Sequence, residues 1–166
     1  MSTRAAIAMP VGDGWEGIYH HSDGYPSGLG CYIFRIIHYR YKGDVAAFLK
    51  WAIEEHPGGW SHIYPAGVRV KGGYHPTKQA PQCFCHGYFA RRGDSGKVTW
   101  LDETDCKWAY VLDAESGTMT ILDLHATKAM FQVSLNDPEP NWVEIECGPN
   151  LERYHHYRCV HGAPGC

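Results

Sequence analysis

Basic residues are too few in this sequence to make a nucleic-acid footprint. Lys and Arg number 15 against 18 Asp and Glu, for a net charge of −3. A phosphate backbone is held mainly by clustered cations, so composition gives nucleic-acid binding no support. Long apolar runs are also missing. No stretch nears the roughly 20 apolar residues that span a bilayer, and the opening segment has too short an apolar run for a signal-peptide core. The expectation is a cytoplasmic chain with no membrane partner, in a compartment that keeps thiols reduced. Its 7 cysteines are an odd number, which speaks against a full disulfide framework. No internal repeat, low-complexity linker, P-loop or dinucleotide fingerprint is present.

What the sequence does have is material for a core. Hydrophobic residues make up 44 % and aromatic residues 13 %, the residue classes in which disordered chains are poor. A length of 166 residues suits one domain, 1–166. Thr3 to Met9 and Trp15 to His21 read as two strands around the turn residues Pro10–Gly14, an N-terminal β-hairpin. Leu29, Ile33, Ile36 and Ile37 predict one face of a helix over Leu29–Tyr41. Asp44 is placed to cap a second, adjacent helix running to His56, with Val45, Phe48, Leu49, Ala52 and Ile53 as its apolar stripe.

An irregular segment, about 57–95, follows, rich in Gly, Pro and His, with Val68 and Val70 as the makings of a brief strand. Strands then read over Lys97–Leu101, Cys106–Leu112, Thr118–Leu124, Met130–Leu135 and Trp142–Cys147. Asp113–Gly117 forms a hairpin turn. The whole predicts an α+β domain: hairpin, two helices, C-terminal antiparallel meander, and a tail over about 151–166.

Cys83, Cys85 and His86 cluster in the irregular segment, and Cys106 follows at the start of a predicted strand. Thiolates and imidazoles bind Zn²⁺ tetrahedrally, and a segment without its own core gains most from such a clip. These four residues would complete a zinc site, with His75, Cys147, Cys159 and His161 as substitutes for the fourth ligand. The spacing is Cys-x-Cys, unlike the Cys-x-x-Cys of zinc ribbons. The same residues also read as small buried hydrophobes (Cys31, Cys106, Cys147) and incidental loop thiols (Cys83, Cys85).

The run His20–Gly30 joins a strand to a helix. Gly24, Gly28 and Gly30 let a ligand approach the backbone, and the helix start offers N–H groups to an anion. His21 and Asp23 lie two apart on a strand end and can share a side. They could act as base and orienting carboxylate, or as a hydrogen-bonding clamp. His21, Asp23, Gly24, Tyr25, Ser27 and Gly28 are therefore the candidate ligand-binding residues, with His21 and Asp23 as the candidate catalytic pair. In the plainer reading Asp23–Gly24 is a turn, Ser27 caps the helix and His21 bonds a carbonyl.

Thr3–Ala8 followed by Gly17–Pro26 resembles the opening of a family of small phage and actinobacterial proteins that carry a His-Trp-Asp-Gly-Tyr-Pro motif. The actinobacterial members also show Cys-Tyr-Cys-His and Cys-Glu-Trp-Ala-Tyr-Val segments, to which Cys83–His86 and Cys106–Val111 correspond here, with Phe84 for Tyr and Lys107 for Glu. Ser22 stands where the motif has Trp, so any stacking by that residue is absent. The resemblance implies a phage or bacterial origin and assigns no activity. The leading expectation is a binding domain with structural zinc and a small anionic ligand or nucleotide at the His21–Asp23 turn. The rivals are a hydrolase using those two residues with a metal or water, and a protein-interaction module that meets or blocks a protein partner.

Overall fold

Gly12 adopts a φ of +56° at the tip of the first hairpin, where a left-handed residue lets the chain reverse within two positions. Strands β1 (Ala5–Val11) and β2 (Gly14–His20) thus pair antiparallel, with Ile7 opposite Ile18 and Ala5 opposite His20. The computed structural model describes residues 3–63, 69–70, 73–74, 82–83, 95–101, 105–126 and 130–147.

The chain leaves β2 through a turn into a π-helical segment (Pro26–Gly30) that runs directly into α1 (Cys31–Tyr39). Proline at the first helical position fits because its φ is already helical and its missing N–H has no partner to lose there. The face predicted for this helix is the one buried: Leu29, Ile33, Ile36 and Ile37. Asp44 caps α2 (Val45–Leu49), its carboxylate accepting the Ala47 N–H at 2.9 Å. The helix continues as a π-helical segment to Glu54. Phe48 and Ala52 are fully buried, and Val45 and Leu49 nearly so.

Four strands follow: β3 (Trp60–His62), β4 (Arg69–Val70), β5 (Gly73–Tyr74) and β6 (Gln82–Cys83). β4 and β5 pair with each other, so Val70 is in a strand as expected, while Val68 lies outside the described residues. The remaining strands are β7 (Lys97–Thr99), β8 (Trp108–Asp113), β9 (Thr118–Asp123) and β10 (Met130–Ser134).

One mixed sheet has the order β10-β9-β8-β1-β2-β3-β6, with β7 also paired to β2. Three of the five strands expected in the meander, β8, β9 and β10, pair antiparallel in succession. Two pairings, β1 with β8 and β2 with β3, are parallel, and β7 joins the N-terminal hairpin instead of the meander. The helices cover one face, where Ile7, Ile18, Tyr110, Leu112 and Met119 meet Ile33, Ile37 and Phe48. Ala6, Ala8, Trp15, Val98, Cys106 and Ala109 form a second cluster. The fold is α+β, and among the described residues no helix is long and apolar enough to cross a membrane.

One expected strand is a helix. Trp142–Cys147 forms α3. Asn141 accepts the Val143 N–H at 3.2 Å and donates to Glu144 at 2.9 Å, so the two side chains brace the first turn as a capping pair. Trp142 buries its ring against Phe34, with centroids 5.7 Å apart.

Candidate functional site

The end of β2 sorts its side chains by alternation. His20 is 1 % exposed and falls in line with Ala5 and Trp60. Its Nε2 accepts the Ile63 N–H at 3.1 Å. Burial, then His62 and His21, lower its pKa to about 3, so the ring is neutral. His21 is half-buried, and its Nδ1 lies 2.8 Å from the Tyr19 hydroxyl. Burial lowers its pKa too, followed by the charges of Arg4 and His62. Tyr19 is raised by burial, with Arg4 opposing and Cys106 and Asp105 adding to the rise. Arg4 bonds Asp105 through its terminal nitrogen, while its Nε is buried without a hydrogen-bond partner among the described residues. Arg4 and His62 are therefore both within electrostatic reach of His21, which Tyr19 also contacts.

The turn that follows is closely packed on the chain itself. Asp23 has a left-handed φ of +56° and its carbonyl accepts the Leu29 N–H at 2.9 Å. Gly24 donates to the Thr3 carbonyl at 2.8 Å, and its own carbonyl receives the Tyr110 hydroxyl at 2.8 Å. A Cβ at Gly24 would lie 2.7 Å from the Ala5 Cβ and 2.8 Å from the Thr3 oxygen, so no larger residue fits. Gly28 and Gly30 are likewise pressed against the Asp23 carbonyl and the Tyr110 ring. These glycines serve close internal contact, which differs from the open approach expected of them.

Tyr25 and Asp23 meet at 3.5 Å, so the candidate pair His21 and Asp23 is engaged by two different tyrosines. Ser27 is not a cap. Its N–H and hydroxyl both donate to Glu146 of α3, at 3.1 and 2.5 Å. The donors expected to receive an external anion thus hold a carboxylate of the protein. A second carboxylate, Glu139, receives Arg35 at 2.9 Å, Trp142 at 2.8 Å and Cys31 at 3.4 Å, fastening the approach to α3 onto α1. Burial would raise the Glu139 pKa, but these hydrogen bonds and the Arg35 charge bring it below its ordinary value.

Of the expected zinc ligands, Cys106 is fully buried in the second apolar cluster, and the Cys83 backbone belongs to β6. Cys85 and His86 lie outside the described residues, as do His75, Cys159 and His161. Cys147 ends α3 and is half-buried, its pKa raised by burial and then by Glu146. Between Cys83 and β8, which Cys106 precedes, stand β3, β2 and β1. At about 4.8 Å per strand spacing, that separation is about 19 Å along the sheet. Among the described residues, no three His, Cys, Asp or Glu side chains gather closely enough to hold a metal.

Sequence reasoning missed Arg4, Tyr19 and His62 as neighbours of His21, and Glu146 as the partner of Ser27. Hairpin register was the available signal for the first, since Ala5 opposite His20 carries Arg4 to a position beside His21. No family model matches the chain, and neither a curated protein nor a solved structure does.

Proposed function

We propose that this chain is a binding domain for a small molecule bearing a phosphate or carboxylate, a nucleotide among the candidates, recognised by Arg4, His21 and His62. The observation that carries the reading is electrostatic. Arg4 and His62 both act on His21 to disfavour its charged form. Groups that repel in the free protein gain most from an anion set between them, because one ligand relieves every pair at once. Glu146 already fills the Ser27 donors, so the anionic group belongs on the Arg4 side of the turn. Asp23 would repel the anion itself and instead accepts from a ligand hydroxyl.

Binding of this kind is proton-linked. His21 starts with a lowered pKa, and an adjacent anion raises it. Affinity therefore strengthens as pH falls through the range in which His21 takes up its proton. Calorimetric titration of nucleotides and small phosphorylated metabolites into wild type and Arg4→Ala, His21→Ala and Asp23→Asn variants tests the site. Turnover of a bound ligand would favour the hydrolase instead.

Structural zinc held by Cys83, Cys85 and His86 is a separate proposal, supported by residue type and by a segment that needs a tether. Cys106 joins that set only if the sheet folds back across three strands. Two thiolates on one ion, each about 2.3 Å from it, must lie close together.

A further inference from the structure

We infer that His20 is a proton-sensitive latch fastening β3 to the end of β2, through the hydrogen bond that its Nε2 accepts from Ile63. A ring nitrogen that accepts a hydrogen bond carries no proton, so the single proton of this neutral ring sits on Nδ1. That Nδ1 is buried and has no hydrogen-bond partner among the described residues. Acid can add a proton only at Nε2, the remaining lone pair. There the new N–H faces the Ile63 N–H, 3.1 Å away between nitrogens, and the bond becomes a donor–donor clash. The ring would then be a buried cation with no acceptor at either nitrogen, which the interior does not tolerate.

The neighbours make this worse. His62 from β3 and His21 from β2 are the titratable groups that act on His20, and both disfavour its charged form. Its register partners, Ala5 of β1 and Trp60 of β3, carry no charge to offset it. Release of β3 to water is the available escape. It would also open the His21 N–H bond to Trp60 and the Ser22 N–H bond to Ser61, at 3.0 and 3.2 Å.

The direction of the effect follows from linkage. Burial, then His62 and His21, hold the latched ring near a pKa of about 3, whereas an opened, solvated histidine titrates near about 6.5. Between those values the opened state binds the extra proton and the latched state does not. The stabilisation from the latch is therefore fully present above about 6.5 and is lost progressively as pH falls toward about 3. From about pH 7 to about pH 5 the opening equilibrium should rise about 25-fold. The inference does not depend on the anion-binding proposal, although β3 carries His62 and opening would withdraw it.

Native-state hydrogen exchange of the full chain at those two pH values is the test, with rates corrected for intrinsic exchange. The Ile63 amide should lose about 25-fold in protection, beyond any loss in the β8–β9 hairpin. Unchanged Ile63 protection, or a loss in step with that hairpin, overturns the latch. Nitrogen-15 shifts of the His20 ring give an independent reading: Nε2 should be unprotonated at neutral pH, and a protonated Nε2 there overturns it. His20→Gln keeps an acceptor that cannot titrate, so if it folds, Ile63 protection should no longer follow pH; if it does not fold, the two wild-type measurements decide.

Discussion

Replacing Tyr110 with Phe removes one oxygen from the middle of the molecule, and the structure says what that oxygen does. Tyr110 is fully buried on β8, and its hydroxyl donates to the Gly24 carbonyl at 2.8 Å, joining residues 86 positions apart. The Phe ring keeps the contact with Gly30, so no cavity opens. What is lost is the donor to Gly24, together with the oxygen that the Gly30 backbone N–H reaches, leaving a buried carbonyl unsatisfied at a cost of about 1–3 kcal/mol. For a chain of this size, Tm moves about 2–4 °C per kcal/mol. Tyr110→Phe should therefore melt about 2–12 °C below the parent, with a matching fall in urea midpoint. Burial, and then Glu146, raise the phenol pKa well above its ordinary value, so the hydroxyl keeps its proton through the neutral range. The deficit should accordingly be the same at about pH 6 and about pH 8. A melting point within about 1 °C of the parent would refute the reasoning, because Gly24 would then have no need of this donor.

Two further outcomes test the helix layer and the tether. Phe48→Ala should cost about 3–5 kcal/mol in a denaturant titration, since the ring is fully buried between the sheet and the helices; a loss below about 1 kcal/mol would put that face at the surface. Protein prepared without chelators should carry about one equivalent of zinc by elemental analysis, lost in Cys83→Ser and retained in Cys106→Ser. Finding no metal in the parent would end the zinc proposal.

Much of the fold could be read from residue order because local and tertiary preferences agree there. Asp44 caps the helix predicted from it, and the stripe Val45, Phe48, Leu49 is buried as its spacing required. Asp113 makes the β8–β9 turn by accepting the Glu115 N–H at 2.9 Å, a local bond that needs nothing distant. Trp142–Cys147 misled because Val143 and Ile145 alternate with Glu144 and Glu146, a period-2 pattern that a short helix can also carry. The Asn141–Glu144 spacing was the contrary signal. The site was legible in part. His21 and Asp23 do sit at the exit of β2, but Glu146 reaches Ser27 from 119 positions away, and no local pattern announces such a contact. The parallel pairing of β1 with β8 is equally non-local.

The central claim is that Arg4, His21 and His62 recognise an anion at the end of β2. Its most direct test is calorimetric titration of phosphate-bearing ligands into wild type and His21→Ala at two pH values, one neutral and one mildly acidic. Wild type should bind more tightly at the lower pH, set no lower than about 6 so that the His20 latch weakens only about 3-fold. His21→Ala should bind more weakly and lose most of that pH dependence. Equal affinity at both pH values, or binding unchanged by the substitution, would contradict the account.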